Sequence, residues 1–329
     1  MSPFPRFPGT PRLGVERSGK RIGFSKHHGG TITTKTDVRF TSSGFQLAGH
    51  LYTPAEADGR LPAIVVGHPM TGVKEQTAAL YAQRLADQGF ITLAFDAAYQ
   101  GESEGEPRGL ENPFQRADDF RNAVTYLSTR DDVDPERIGV LGICASGGYV
   151  PFAAQTDHRM KAVATVSGAD ATCFFRVPDP EAFAKLVDQA GVARTAEAKG
   201  EEIPMVPVLP DSVDASTPKA VAEFFDYYKT PRAQHPRSIG KFALRSVDQL
   251  DQFDAYAGVA KIAPRPLLMI AGTEAETKGF SEGAVAAGGE TAELFEIDGA
   301  THVDLYDVDQ YVSQAADKLT EFFTKNLAG

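Results

Sequence analysis

Apolar and polar residues alternate from Thr34 to Thr41 and again from Phe45 to Tyr52, on either side of Ser42-Ser43-Gly44. A period of two around a turn signal predicts a β-hairpin. From Leu61 the pattern changes. Leu61 to Gly67, Phe90 to Phe95, Ile138 to Ile143 and Ala162 to Val166 are short, nearly continuous apolar runs, the form taken by strands buried on both faces. Between them the apolar spacing is helical. Lys74 to Gln88 (stopped by Gly89), Pro113 to Thr129 with Phe120, Val124 and Leu127 on one face, and Ala145 to Gln155 are the expected helices. Strands alternating with helices in this way predict an α/β fold, with a mostly parallel central sheet flanked by helices. Such sheets carry their sites at the carboxyl ends of the strands.

The alternation lapses after about residue 171. It resumes near 259 with strands Pro266 to Ala271 and Glu293 to Ile297 and a closing helix from Tyr306 to Asn326. A gap of roughly ninety residues with helical but no strand pattern is too long for a plain connection. The expected organisation is therefore a Pro- and Gly-rich arm over residues 1–30, a core formed by 31–170 and 259–329, and a helical cap inserted over 171–258.

Composition narrows the function. With 42% hydrophobic and 23% charged residues the chain has the balance of a soluble globular protein. No apolar run approaches the roughly 18 residues of a membrane span. The start, MSPFPRFPGTPRLG, lacks the apolar stretch of a secretory signal, so a cytoplasmic location is expected. A net charge of −11 argues against nucleic acid or an anionic membrane surface as partner, which leaves a small-molecule substrate. The arm departs from this balance, with Arg6, Arg12, Arg17, Lys20, Arg21 and Lys26 against Glu16. It reads as a solvated segment or, alternatively, as a strap that docks on an acidic second subunit and makes a homo-oligomer. The two cysteines, Cys144 and Cys173, form no disulfide framework and suit a reducing compartment.

Chemistry concentrates at Arg137-Ile-Gly-Val-Leu-Gly-Ile-Cys144-Ala-Ser-Gly-Gly-Tyr149. A buried strand ends at Gly142 and a helix begins at once, with a nucleophilic side chain between them. That is the pattern of a nucleophile elbow, which needs small residues two positions either side of the apex. Cys144 at the apex keeps Gly142 in place and puts Ser146 where Gly is usual; Ser146 at the apex keeps Gly148 but puts Cys144 where Gly belongs. Counting from the strand favours Cys144 and leaves Ser146 as the alternative. A thiol there sits against a helix N-terminus and needs less help from a base than a hydroxyl does.

An elbow calls for an acid and then a histidine later in the chain. His302 follows the last strand and is the expected base. The acid should follow strand Pro266 to Ala271, where Glu276 is preferred to Glu274, with Asp170 after the preceding strand as a third candidate. Its task is to hold the ring in the proton-accepting tautomer. The oxyanion donors are expected to be the backbone N–H groups of Ala145 and of Met70, since Pro69 has none. His68 and Tyr99 are candidate substrate contacts, and Arg232 and Arg237 in the cap are candidate partners for an anionic substrate. The remaining histidines, His27, His28, His50, His158 and His235, show no metal-ligand spacing, so neither metal nor cofactor is expected.

The elbow, the loop His68-Pro-Met-Thr-Gly-Val-Lys-Glu75, the stretch Asp96-x-x-Tyr-x-Gly-Glu-Ser-Glu-Gly105 and Gly299-Ala-Thr-His-Val-Asp-Leu-Tyr306 resemble the dienelactone-hydrolase-like branch of the α/β-hydrolase superfamily. Within it they look closest to bacterial hydrolases and the fungal polyketide transferase family. The resemblance spans about residues 31 to 327. It implies an α/β-hydrolase fold and a Cys–His–acid site made of Cys144, His302 and a carboxylate. Two departures stand out: Ser146 in place of the usual elbow Gly, and Glu in place of Asp at the acid position. The expected activity is hydrolysis of an ester, thioester or lactone, free or carrier-bound, through an acyl-cysteine. Transfer of the acyl group to a non-water acceptor is the alternative. A pseudo-hydrolase that only binds ligand, or senses redox state through Cys144 and Cys173, is a third reading.

Overall fold

The computed structural model describes residues 33–55, 59–176 and 179–328. The basic arm expected over residues 1–30, and with it any role in assembly, lies outside them. β1 (Thr33–Ser42) and β2 (Phe45–Pro54) form the hairpin, turning at Ser43 and Gly44, both at positive φ. β3 (Leu61–Gly67), α1 (Thr77–Ala86), β4 (Ile91–Phe95), α2 (Pro113–Ser128), β5 (Val133–Ile143), α3 (Ser146–Ala154) and β6 (Met160–Val166) follow. The Asn112 side chain caps α2 by accepting from the N–H groups of Phe114 and Gln115, with Pro113 as its first residue.

The segment after β6 folds as α4 (Ala171–Arg176), α5 (Pro180–Ala198), β7 (Met205–Pro207), α6 (Lys219–Lys229), β8 (Lys241–Ala243) and α7 (Val247–Asp251). It is not purely helical, as the sequence pattern suggests. β7 and β8 pair antiparallel in a separate two-stranded sheet, and at three residues each they are too short to show a period of two. The chain then returns to the main sheet with β9 (Leu267–Gly272), α8 (Lys278–Gly288), β10 (Ala292–Ile297), α9 (Asp304–Asp307) and α10 (Asp309–Asn326). The closing helix expected as one piece is two, because Val308 takes an extended conformation (ψ 106°) between them. The break lets the short turn α9 carry Tyr306 apart from the long helix.

Among the described residues the main sheet has eight strands, in the order β1-β2-β4-β3-β5-β6-β9-β10. β1 and β2 are antiparallel to their neighbours and the other six are parallel. Alternate residues of a central strand feed two cores. Ala63 and Val65 of β3 pack with Phe120 and Val124 of α2 on one face. Ile64 and Val66 pack with Tyr81 and Leu85 of α1 and Leu319 and Phe323 of α10 on the other. Burial on both faces explains why these strands read as unbroken apolar runs. Among the described residues no helix is long and apolar enough to cross a membrane.

Candidate active site

Cys144 stands between β5 and α3 at φ +55°, a strained conformation for a side-chain-bearing residue that costs of order 1 kcal/mol or more. The surroundings hold it there. Its N–H donates to the Val166 carbonyl (3.0 Å), and its own carbonyl accepts from the N–H groups of Gly147 (2.8 Å) and Ala169 (3.0 Å). Gly142 is obligatory for the turn, since a Cβ there would lie 2.1 Å from the Ser146 carbonyl oxygen.

Ser146, the alternative nucleophile, is fully buried. Its hydroxyl donates to the His68 carbonyl at 2.6 Å and accepts from Arg116 Nη2 at 3.3 Å. The extra side chain at this elbow position fits because the facing residue is Gly67, where a Cβ would come within 2.9 Å of Ser146 Oγ. Ser146 is thus bonded behind the elbow and takes no part in the cavity wall.

The Cys144 sulfur meets the N–H groups of Ala145 and Met70 and the hydroxyl of Tyr306. Burial pushes the thiol up from its ordinary value. Those hydrogen bonds and the buried Arg116 guanidinium pull the other way without cancelling it. His302 is buried on the same cavity. Its Nε2 lies 3.0 Å from the Tyr306 hydroxyl and its Nδ1 2.6 Å from the Thr277 hydroxyl. Ser167, itself at φ +49°, donates to the His302 carbonyl at 3.0 Å and fixes the backbone beneath the ring. Burial alone lowers the imidazole to about 3, so the ring is neutral. Tyr228, reaching in from α6, hydrogen-bonds the same Tyr306 hydroxyl.

The expectation of a carboxylate on His302 is corrected. Glu276 and Glu274 are exposed, while Thr277, the next residue, is buried and turns its hydroxyl to the ring instead of capping α8. Asp170 is buried, but its carboxylate accepts from the N–H groups of Cys173 (2.8 Å) and Ala255 (2.9 Å), which ties the start of the cap to the chain returning from it. Four further candidates lie off the cavity wall. His68 is buried with Nδ1 on the Pro69 carbonyl (2.7 Å) and Nε2 accepting from the Ala97 N–H (3.2 Å), which makes it a brace for the loops after β3 and β4. Tyr99 packs edge-on to Phe45 at 5.1 Å. Arg232 is held by Asp307 (2.5 and 2.9 Å) and Arg237 by Glu75 (2.6 Å) and Glu102 (3.2 Å), so both cap arginines have internal counter-ions.

Thr277, Tyr306, Tyr228 and Arg116 escaped the sequence reading. Tyr306 had a usable signal, being four residues after His302, a spacing that shares one face of a helical turn. Glu75, Asp96 and Glu102 converge closely enough to suit a cation. The Lys74 ammonium takes that role, at 2.7, 2.9 and 2.6 Å from them.

Above the sulfur opens a cavity of about 290 Å³. Its floor is Cys144, Ala145, Met70, His302 and Tyr306, and its walls are mostly apolar groups of the segment between β6 and β9, including Phe174, Phe183, Leu186, Val208, Phe224 and Phe242. The exposed Asp179 and Lys185 are the charged residues on its lining.

A model of the Dienelactone hydrolase family matches residues 47–190. Uncharacterized protein YcjY of Escherichia coli (strain K12) is 38% identical over 302 residues, covering 88% of this chain and 98% of that protein. The chain belongs to the dienelactone hydrolase family. The hydrolase is also similar to thiohydrolase aneE of Aspergillus aculeatus, 32% identical over 178 residues, which are 54% of this chain and 55% of that one. A crystal structure of hypothetical protein PA2218 from Pseudomonas aeruginosa superposes with a TM-score of 0.84 at 34% identity, covering 94% of this chain and all of the other. The fold and these relatives make the protein an α/β-hydrolase enzyme.

Proposed function

We propose that this hydrolase cleaves an ester or thioester of an apolar acyl group through an acyl-Cys144 intermediate that water then releases. One observation carries the reading: the sulfur at the elbow apex receives the N–H groups of Ala145 and Met70 on the floor of an apolar cavity. Two backbone donors converging on the nucleophile are what the oxyanion of a tetrahedral intermediate requires. Sulfur attacks the acyl carbon, its proton passes to the neutral imidazole of His302, and the imidazolium returns that proton to the departing alcohol or thiol. In the second half His302 takes a proton from water, which attacks the thioester.

The acyl group follows from the walls. At about 30 Å³ for each water-sized group, a cavity of about 290 Å³ holds roughly ten heavy atoms. That favours an acyl chain of about eight to ten carbons, or a compact aromatic acid, whose burial is driven by the hydrophobic effect. Arg232 and Arg237 are internally paired, so the substrate needs no carboxylate for them to grip. The thiohydrolase relative supports cleavage of a thioester.

Incubation with 4-nitrophenyl octanoate followed by intact-protein mass spectrometry tests the reading. An octanoyl adduct mapped to Cys144, absent from Cys144→Ala, is the expected result. Undiminished turnover by Cys144→Ala would overturn it.

A further inference from the structure

We infer that Tyr306 is a catalytic residue whose phenol hydroxyl carries the proton between the Cys144 thiol and the His302 imidazole. The inference rests on the acyl-Cys144 reading and adds a member that neither the elbow pattern nor the family motifs assign. Three contacts converge on the Tyr306 oxygen: Cys144 Sγ, His302 Nε2 at 3.0 Å and the Tyr228 hydroxyl. His302 Nε2 shares its hydrogen bond with this phenol, which contacts both the imidazole and the sulfur.

The relay requires one tautomer of His302. A phenol donates one hydrogen bond and accepts up to two, and a neutral imidazole donates from one nitrogen only. In the tautomer with Nδ1–H donating to the Thr277 hydroxyl, Nε2 accepts, and the donor facing it is Tyr306 O–H. The Tyr306 oxygen is then free to accept from Cys144 S–H and from Tyr228 O–H. In that arrangement the sulfur's proton points along the route it must travel.

Atoms and charge balance along this route. As sulfur bonds to the acyl carbon, the S–H proton moves to the Tyr306 oxygen and the Tyr306 O–H proton moves to His302 Nε2. Tyr306 ends neutral, His302 ends as imidazolium, and the carbonyl electrons settle on an oxyanion under the Ala145 and Met70 N–H groups. When the intermediate collapses, the leaving oxygen or sulfur takes the proton of Tyr306, and His302 restores it. Burial disfavours a phenolate at Tyr306, which suits two concerted transfers better than a stepwise one.

The phenol is also held in place. Its ring packs edge-on against Tyr227 at 5.0 Å, whose hydroxyl accepts from the Thr77 N–H, and against His302 at 5.4 Å. Tyr228 and Tyr227 both come from α6, so the segment between β6 and β9 supplies the support that aims the relay.

The test uses full-length enzyme and 4-nitrophenyl octanoate. In Tyr306→Phe, kcat/KM is expected to fall by about 10²-fold or more, and the pH midpoint of Cys144 alkylation by iodoacetamide is expected to move up. Retention of the wild-type rate and pH profile, with Cys144→Ala inactive, would overturn the relay and leave the acyl-enzyme intact. An active Cys144→Ala would instead remove the acyl-enzyme, and the relay with it. If the Phe variant does not fold, a proton inventory of single-turnover acylation by wild-type enzyme decides. A curved dependence on deuterium fraction, from two protons in flight, supports the relay, and a straight line overturns it.

Discussion

The Thr277 hydroxyl lies 2.6 Å from Nδ1 of His302, at the position where a carboxylate orients the base in sites of this kind. A hydroxyl can accept the Nδ1 proton and so select the tautomer, but it carries no charge to stabilise an imidazolium. The His302 ring, the proposed base, is therefore oriented without being made more basic. Thr277→Val keeps the shape and removes the acceptor. Leaving a buried donor unpaired costs about 1–3 kcal/mol, so kcat should fall roughly 10- to 100-fold with KM little changed. Thr277→Asp should instead raise the imidazole and bring an acid limb into the pH–rate profile. Steady-state kinetics of both variants between pH 5 and 9 check this; an unaffected Thr277→Val would show that the hydroxyl does not orient the ring.

The same absence of charge governs how the enzyme responds to pH. His302 is depressed to about 3 and the Cys144 thiol is raised, both first by burial. The resting pair is thus thiol and neutral imidazole, opposite to the thiolate–imidazolium pair of a Cys–His site with a depressed thiol. Alkylation of Cys144 by iodoacetamide should be slow at pH 6 and climb steadily into the alkaline range. Fast alkylation at pH 6, flat towards pH 9, would contradict it.

Stability follows by linkage. An unfolded histidine titrates near 6.5 while His302 in the fold stays neutral down to about 3. Between those values the unfolded chain binds the extra proton. The contribution is whole above 6.5 and is lost as pH falls towards 3, reaching about 5 kcal/mol. Urea unfolding at pH 7.5 and pH 5 should show this loss in wild type and a smaller one in His302→Gln. Equal losses in the two proteins would mean the proton goes elsewhere.

Where the sequence was legible, one residue type or one period decided the matter. The strand runs could be read because β3, β5, β6 and β9 are apolar on both faces, and the elbow because Gly142 has no room for a Cβ. The partner of His302 was not legible. Glu276 and Thr277 are adjacent, and only the way the loop after β9 enters α8 decides which of them faces inward. The cap arginines misled for a related reason: Asp307 and Glu75, which pair with them, are 75 and 162 residues away in the chain.

The choice between Cys144 and Ser146 can be settled by two variants. Ser146 Oγ is hydrogen-bonded to the His68 carbonyl and to Arg116 behind the elbow and faces Gly67. Ser146→Ala should cost about 2 kcal/mol of stability through two lost hydrogen bonds and change kcat by no more than about threefold. Cys144→Ala should abolish turnover. Loss of activity in Ser146→Ala, with its melting transition intact, would reverse the assignment.

Chain-length selectivity follows from the cavity. Each methylene buried against Phe174, Phe183, Leu186 and Phe224 should add about 0.8 kcal/mol, or roughly fourfold in kcat/KM, until the space of about 290 Å³ is filled. For 4-nitrophenyl esters the rise should therefore stop near eight to ten carbons and reverse beyond that, because overfilling a packed wall is itself destabilising. Ala182, on the α5 side of the cavity, gives a way to move that limit. Ala182→Leu adds three carbons to the wall and should shift the optimum down by about the same number, without changing the rate for short esters that never reach it. A profile flat from two to twelve carbons, in wild type and variant alike, would show that the acyl chain does not lie in this cavity.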